Sequence, residues 1–276
     1  MKTATNNKHR RSASDIVLTI IRQSDIILEI LDARFINETR NLKLEGEIKD
    51  KGKKIIYVLN KIDLVDINDI YKKIELENLK PYILFSSLKR KCLKNLRNKI
   101  KIEAKKILKE KAKQKAVSRF DYIVYVGVIG YPNTGKSSVI NLLIGRQVAR
   151  VSPMAGFTKG EQNLKLTEDI ILIDTPGIIP IGEDSTISKK DLIKHSEIGV
   201  RTWDKVKDAD MIIANLMKKY PGVLEKHYNM QAQGDSEILI EQLGRKKRLL
   251  KKGNLVNTDR TSRIILRDWQ EGKIKI

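Results

Sequence analysis

The chain has 276 residues with 41% hydrophobic content, enough for one large domain or two ordinary ones with a real core. Its apolar runs are too short to cross a bilayer, its polar, Lys- and Arg-bearing start lacks a signal-peptide core, and a single cysteine, Cys92, excludes an internal disulfide, so a cytoplasmic protein is expected. Fifty-five basic residues against thirty-four acidic ones leave +21, which favours a polyanionic partner, nucleic acid ahead of a membrane surface.

Residues 1–12 are polar and basic and read as an arm. Ser12 or Ser14 can cap a helix over 15–22, and 25–31 is a strand ending in Asp32-Ala33-Arg34. A helix over 42–51 leads to a strand over 54–59, which delivers Asn60-Lys61-Ile62-Asp63. A helix over 68–79 is stopped by Pro81, and a strand over 82–85 ends at Ser86-Ser87-Leu88. A long basic helix over 90–113 follows, with Leu93, Leu96, Ile100, Ala104 and Ile107 on one face and Cys92 near its start. A β-branched run over 122–129 is a strand, 137–143 a helix, and 161–166 with 169–173 a hairpin. After Pro180 the chain is read as helical only, over 208–220, 235–250 and 258–269. The alternation predicts an α/β fold with a mostly parallel sheet covered on both faces, followed by a small all-α C-terminal domain. The expected boundary separates a domain over 1–185 from a helical one over 186–276.

Between the strand and helix around residue 130 stands Gly130-Tyr131-Pro132-Asn133-Thr134-Gly135-Lys136-Ser137, then Ser138. This fits the Gly-x-x-x-x-Gly-Lys-Ser/Thr phosphate loop in the strand-to-helix context that the pattern requires. The glycines let the backbone wrap a polyphosphate, and the helix N-terminus adds partial positive charge. Lys136 is expected on the β- and γ-phosphates and Ser137 on Mg²⁺. Asn60-Lys61-Ile62-Asp63 fits the guanine-recognition box: Asp63 accepts from guanine N1–H and the 2-amino group, Asn60 meets the base edge and braces the loop, and the Lys61 stem packs on the base. Ser86-Ser87 fits the second base-contacting box, with Leu88 where Lys is usual. Asp174-Thr175-Pro176-Gly177 fits the Asp-x-x-Gly box, with Asp174 toward Mg²⁺ through water and the Gly177 N–H toward the γ-phosphate; Thr158 lies where a threonine would close over Mg²⁺.

An ordinary GTPase carries the phosphate loop first and the guanine box late. Here the guanine box comes first, with the cycle of five boxes unbroken but cut elsewhere. Circular permutation produces this order when the natural ends lie close together. The chain resembles the circularly permuted GTPases of ribosome assembly, the YlqF/YawG group, also in Asp32-Ala33-Arg34 with Arg40-Asn41 (Ile36 standing where the group has Pro) and in Leu243-Gly244-Arg245-Lys246. It departs from the group at Ala155, where Pro precedes Gly156-Phe157-Thr158. The resemblance implies GTP and GDP as ligands, GTP hydrolysis coupled to maturation of the large ribosomal subunit, and a cytoplasmic site of action; a monomer is expected. Ile178 stands where many GTPases carry a water-orienting Gln, so slow intrinsic turnover, stimulated by the ribosomal particle, is implied. In similar loops an Asn at the place of Asn133 helps hold K⁺; a purely loop-shaping role is the alternative. Fourteen basic and two acidic residues over 89–119, with Arg245-Lys246-Lys247-Arg248, suggest phosphate contacts with structured rRNA. The residues leave two other readings open: an RNA-binding factor that holds GTP structurally, and a permuted GTPase acting on another RNA.

Overall fold

All seven positions of β1 (Ile26–Asp32) are buried. A strand with no exposed side belongs inside a sheet covered on both faces. That is its place in the computed structural model, which describes residues 13–113, 122–147, 162–174 and 189–276. β1 pairs in parallel with β2 (Lys54–Asn60) on one side and β4 (Val124–Ile129) on the other. β3 (Tyr82–Leu84) continues the parallel sheet beyond β2, and β6 (Ile170–Asp174) does so beyond β4. β5 (Gln162–Lys165) closes that edge antiparallel. The order β3-β2-β1-β4-β6-β5 winds outward in one direction from β1 and in the other from β4. Such a switch point opens a ligand crevice at the strands' carboxyl ends. Asp32, Asn60 and Asp174 end their strands there, and Gly130 follows the last residue of β4.

Helices cover both faces. α1 (Ala13–Gln23), α3 (Leu42–Asp50) and α4 (Ile67–Leu76) seal one face through Val17, Ile21, Ile48, Ile70 and Ile74. α5 (Leu93–Lys113) and α6 (Lys136–Ile144) seal the other through Leu96, Ile100, Val139 and Leu143. α2 (Ile36–Thr39) is one turn beyond β1. The helical part consists of α7 (Lys189–Glu197), α8 (Ala209–Lys219), α9 (Val223–Tyr228), α10 (Ser236–Lys246) and α11 (Thr258–Gln270). Its core centres on the fully buried Trp269, and Phe35 and Tyr131 of the sheet part enter that core. The two parts therefore share apolar packing at the phosphate loop.

Several local readings shift. The helix expected over 235–250 ends at Lys246, because Leu250 pairs with Val256 in a short ribbon of β7 (Leu250–Lys251) and β8 (Leu255–Val256). Gly253 and Asn254, both at positive φ, make its turn. The basic helix begins at Leu93 rather than residue 90, since Ser86 and Lys91 bridge through their backbones and Cys92 has φ +61. Cys92 thus precedes that helix. The helix expected over 68–79 is Ile67–Leu76, with Asp66 capping the Asn68 N–H at 2.7 Å. The arm over 1–12, the 185/186 boundary, Thr158 and Gly177 lie outside the described residues.

Candidate nucleotide-binding site

The phosphate loop leaves β4 at Gly130, whose φ is +148. A Cβ there would stand 2.5 Å from the Ile30 carbonyl oxygen, so only glycine lets the loop lie against β1. Gly135, at φ +97, caps α6, and a Cβ on it would collide with the Asn60 carboxamide. Inside the loop the Thr134 hydroxyl donates to the Tyr131 carbonyl at 3.0 Å. The Lys136 ammonium is buried and donates to the carbonyls of Gly130 (2.9 Å) and Tyr131 (2.7 Å). Burial pushes its pKa down to about 8, with Asp174 pulling the other way. The ammonium is thus held at the mouth of the loop and still mostly protonated at neutral pH.

Asn60 joins the loop to the turn after β3. Its Nδ2 donates to the Thr134 carbonyl at 2.9 Å and its Oδ1 accepts from the Ser87 N–H at 3.0 Å. The residue is fully buried, so each bond is shielded from water. Lys61 follows in the left-handed region, φ +65. Asp63 is half-buried and accepts from the Ser86 hydroxyl, which in turn accepts from the Lys89 N–H at 3.0 Å. Asn60, Asp63, Ser86, Ser87, Thr134 and Gly135 are therefore linked side by side at one end of the sheet.

Sequence reading left Asp32 and Arg34 without a structural role. Arg34 grips the Asp32 carboxylate through Nε (3.0 Å) and Nη2 (2.8 Å) while its Nη1 donates to the Trp269 carbonyl at 2.8 Å. Lys61 Nζ adds a 2.7 Å bond to the same carboxylate. Burial alone would raise the Asp32 pKa; the Arg34 and Lys61 cations overcome it and hold the group well below the usual carboxylate range. A second buried acid, Glu29, lies mid-strand in β1 and accepts from the Asn41 N–H at 3.1 Å. The one signal for it was a lone carboxylate inside the apolar run Ile26-Ile27-Leu28-Glu29-Ile30-Leu31.

The residues present fit a magnesium nucleotide. Gly130 and Gly135 let the loop pack directly against Ile30 and Asn60, the buried Lys136 ammonium is bonded to the loop's own carbonyls, and Ser137 and Asp174 carry the hard oxygens that Mg²⁺ takes alongside phosphates. Among the described residues no cluster of three or more His, Cys, Asp or Glu could hold a metal without such help. Asn133, φ +61, donates its Nδ2 to the Gly199 carbonyl, a contact from the phosphate loop to the helical part. Ser138 is half-buried in the first turn of α6. His195 is buried, Trp269 donates its indole N–H to the Glu197 carbonyl at 3.0 Å, and Trp203 stacks under Arg267, so all three are packing residues. Among the described residues no helix is long and apolar enough to cross a membrane.

The sequence profile of the 50S ribosome-binding GTPases matches residues 125–249. The match starts in β4 and leaves the guanine box outside, as a rotated order of boxes requires. A GTP-binding protein of Methanocaldococcus jannaschii is 35% identical over 261 residues, 94% of this chain and 65% of that protein. Nucleolar GTP-binding protein 2 of Saccharomyces cerevisiae is 34% identical over 260 residues, 92% of this chain and 50% of that protein. The chain thus spans between half and two thirds of the length of these two relatives. The crystal structure of GNP-bound YlqF from Thermotoga maritima superposes with a TM-score of 0.65 at 22% identity, covering 95% of this chain and 96% of that one, a likeness of fold. The permuted order of its boxes and these matches make the chain similar to the 50S ribosome-binding GTPases over residues 125–249 and to these GTP-binding relatives, with a fold like that of YlqF.

Proposed function

We propose that the chain binds GTP in the crevice, hydrolyses it to GDP and phosphate, and couples nucleotide state to assembly of the large ribosomal subunit through its rRNA. The observation that carries this reading is Asn60, whose two hydrogen bonds tie the phosphate loop to the turn after β3. Asp63 reads the guanine edge, with Asn60, Lys61, Ser86 and Ser87 around the base. Gly135, Thr134, Lys136 and Ser138 hold the phosphates. Ser137 and Asp174 would hold Mg²⁺, which supplies charge neutralisation at the phosphates. Thr158 and Gly177 are assigned here from their motifs alone, closing over Mg²⁺ and sensing the γ-phosphate. Ile178 cannot orient a water by hydrogen bonding, so turnover by the chain alone is slow and the ribosomal particle supplies what is missing. K⁺ beside Asn133 would add positive charge at the β/γ bridge.

Nucleotide state reaches the helical part through the phosphate loop itself. Tyr131 lies in the helical core and Asn133 donates to Gly199. The RNA surface is the basic face of α5 together with Lys247 and Arg248, and the protein acts as a cytoplasmic monomer. The test is GTP turnover with and without isolated large subunits, in K⁺ and in Na⁺ at equal ionic strength. Stimulation by subunits is expected, and faster turnover in K⁺. No turnover in any arm, with GTP still bound, would leave the reading of a factor that holds GTP structurally; equal rates in the two salts would remove K⁺.

A further inference from the structure

Asp63 stands in a single 3-10 turn, Ile62–Leu64, and residues that follow α11 close on that turn. The chain bends at Gly272, φ +75. A Cβ there would stand 2.7 Å from Leu64 Cδ1, so the bend lies directly against the buried Leu64. At the far end of the same segment the Ile276 N–H donates to the Leu64 carbonyl at 2.9 Å. Between the two contacts Ile274 is fully buried in the core of the helical part, and Ile276 packs on that core. Residues 272–276 are thus anchored in the helical part and grip the end of the turn.

Arg34 supplies a second grip at the start of the turn. Its Nη1 places a cation on the carbonyl end of α11, where the helix dipole favours one. Its Nε and Nη2 fix the Asp32 carboxylate, which also accepts from the Arg34 backbone N–H at 3.1 Å. The carboxylate fixed in this way receives Lys61 Nζ, and Lys61 comes directly before the turn. The Arg34 and Asp32 side chains are each 1% exposed and that of Lys61 19%, so these bonds are shielded and hold more firmly than surface pairs. Segment 61–64 is therefore held at both ends by contacts that lead to the last turn of α11 and the residues after it. Asp63 lies between the two grips. A carboxylate that must meet two donors at once loses one of them on a small displacement, so what holds this turn sets how well it can read a base.

We propose that Arg34 and residues 272–276 are positioning residues for guanine recognition: they hold segment 61–64 so that Asp63 meets both guanine donors, and by reciprocity a bound guanine seats the end of the helical part. This rests on Asp63 as the guanine contact of the proposed function. It adds a route that begins at the base, so GDP engages it as fully as GTP, whereas the route through the phosphate loop begins at the phosphates.

The test uses the whole chain with GDP and with IDP, which lacks the 2-amino group and offers Asp63 one donor fewer. Arg34→Lys and, separately, Ile276→Pro, which deletes the N–H on Leu64, should each weaken GDP about tenfold and IDP about threefold or less, so that the GDP-to-IDP preference falls. Ile276→Pro leaves the buried ion cluster intact and decides the matter if Arg34→Lys does not fold. Lys219→Ala cuts a 2.9 Å bridge from the helical part to Glu38 of α2 and should leave the preference as in the parent. Hydrogen exchange should show GDP, but not ADP, protecting the Gly272 and Ile276 amides of the parent, with that protection lost in Arg34→Lys. If GDP and IDP weaken equally, or Lys219→Ala lowers the preference as much as the other two, the contacts only fasten the two parts together and the proposal is overturned, with the guanine reading intact. Unchanged GDP affinity in both variants, or no protection at 272–276 in the parent, overturns it as well. If the parent does not prefer GDP to ADP and IDP, Asp63 is not the guanine contact, and the functional reading falls and the proposal with it.

Discussion

Arg34 reaches across the molecule to the carbonyl of Trp269, 235 positions away in sequence, at 2.8 Å. The same guanidinium holds Asp32, which also receives Lys61 of the guanine box. One buried arginine thus ties the end of the central strand to the last helix of the helical part, with Lys61, just after β2, on the same carboxylate. Phe35 stacks on Trp269 beside it, ring centroids 5.9 Å apart.

Arg34→Ala leaves the Asp32 carboxylate buried with Lys61 as its remaining cation. Breaking one side of such a buried pair costs about 3 to 5 kcal/mol. Urea denaturation should show a loss of that order. Arg34→Lys should recover only part of it, because an ammonium cannot make the two-pronged grip and reach Trp269 at once. A loss under about 1 kcal/mol for the alanine variant would mean that the bridge contributes little.

Much of the candidate site was legible because its motifs are local. The phosphate loop and the guanine box are runs of adjacent residues, and their order along the chain announced the rotation before any strand was paired. The bridge was not legible, since Arg34 and Trp269 are joined only by the fold and neither sits in a nucleotide motif. Nor was the sharing of the helical core by Phe35 and Tyr131, because an aromatic in a loop carries no periodicity. The β7–β8 ribbon escaped for a similar reason: strands of two residues show no alternation to read.

Gly135→Ala tests the cradle. The added methyl would run into the Asn60 carboxamide, and φ of +97 is unfavourable for any side chain. Asn60 must then give up its bonds to Thr134 and Ser87 or the loop must move. GTP affinity measured by calorimetry should fall about a hundredfold or more, with a smaller loss of stability. Unchanged affinity would show that the loop opens away from Asn60 when nucleotide binds.

Asp63→Asn tests base recognition. The carboxamide oxygen can still accept from the Ser86 hydroxyl, so the local fold should persist. It can no longer accept from two guanine donors, and its amide N–H suits the 2-oxo group of xanthine. GTP affinity should drop by about three orders of magnitude and XTP should gain. Equal loss of both nucleotides, with folding intact, would place the base elsewhere.

Glu29→Gln tests the buried acid beneath the phosphate loop. Burial, and then the nearby Glu45, push the Glu29 carboxyl from an ordinary 4.5 up to about 8. The folded chain therefore keeps a proton that the unfolded chain releases above about pH 4.5. The raised pKa contributes stability that is complete below that pH and is lost as pH rises toward 8. Inside the window the slope approaches ~1.4 kcal/mol per pH unit. Glutamine keeps the shape and an acceptor for the Asn41 N–H but cannot ionise. Urea unfolding at about pH 5.5 and 7.5 should show the parent losing ~2 to 3 kcal/mol relative to the variant across that interval. Buried groups common to both proteins cancel in the comparison. Parallel pH profiles would mean that Glu29 is already ionised in the folded chain, with the Arg40 and Lys49 cations outweighing its burial.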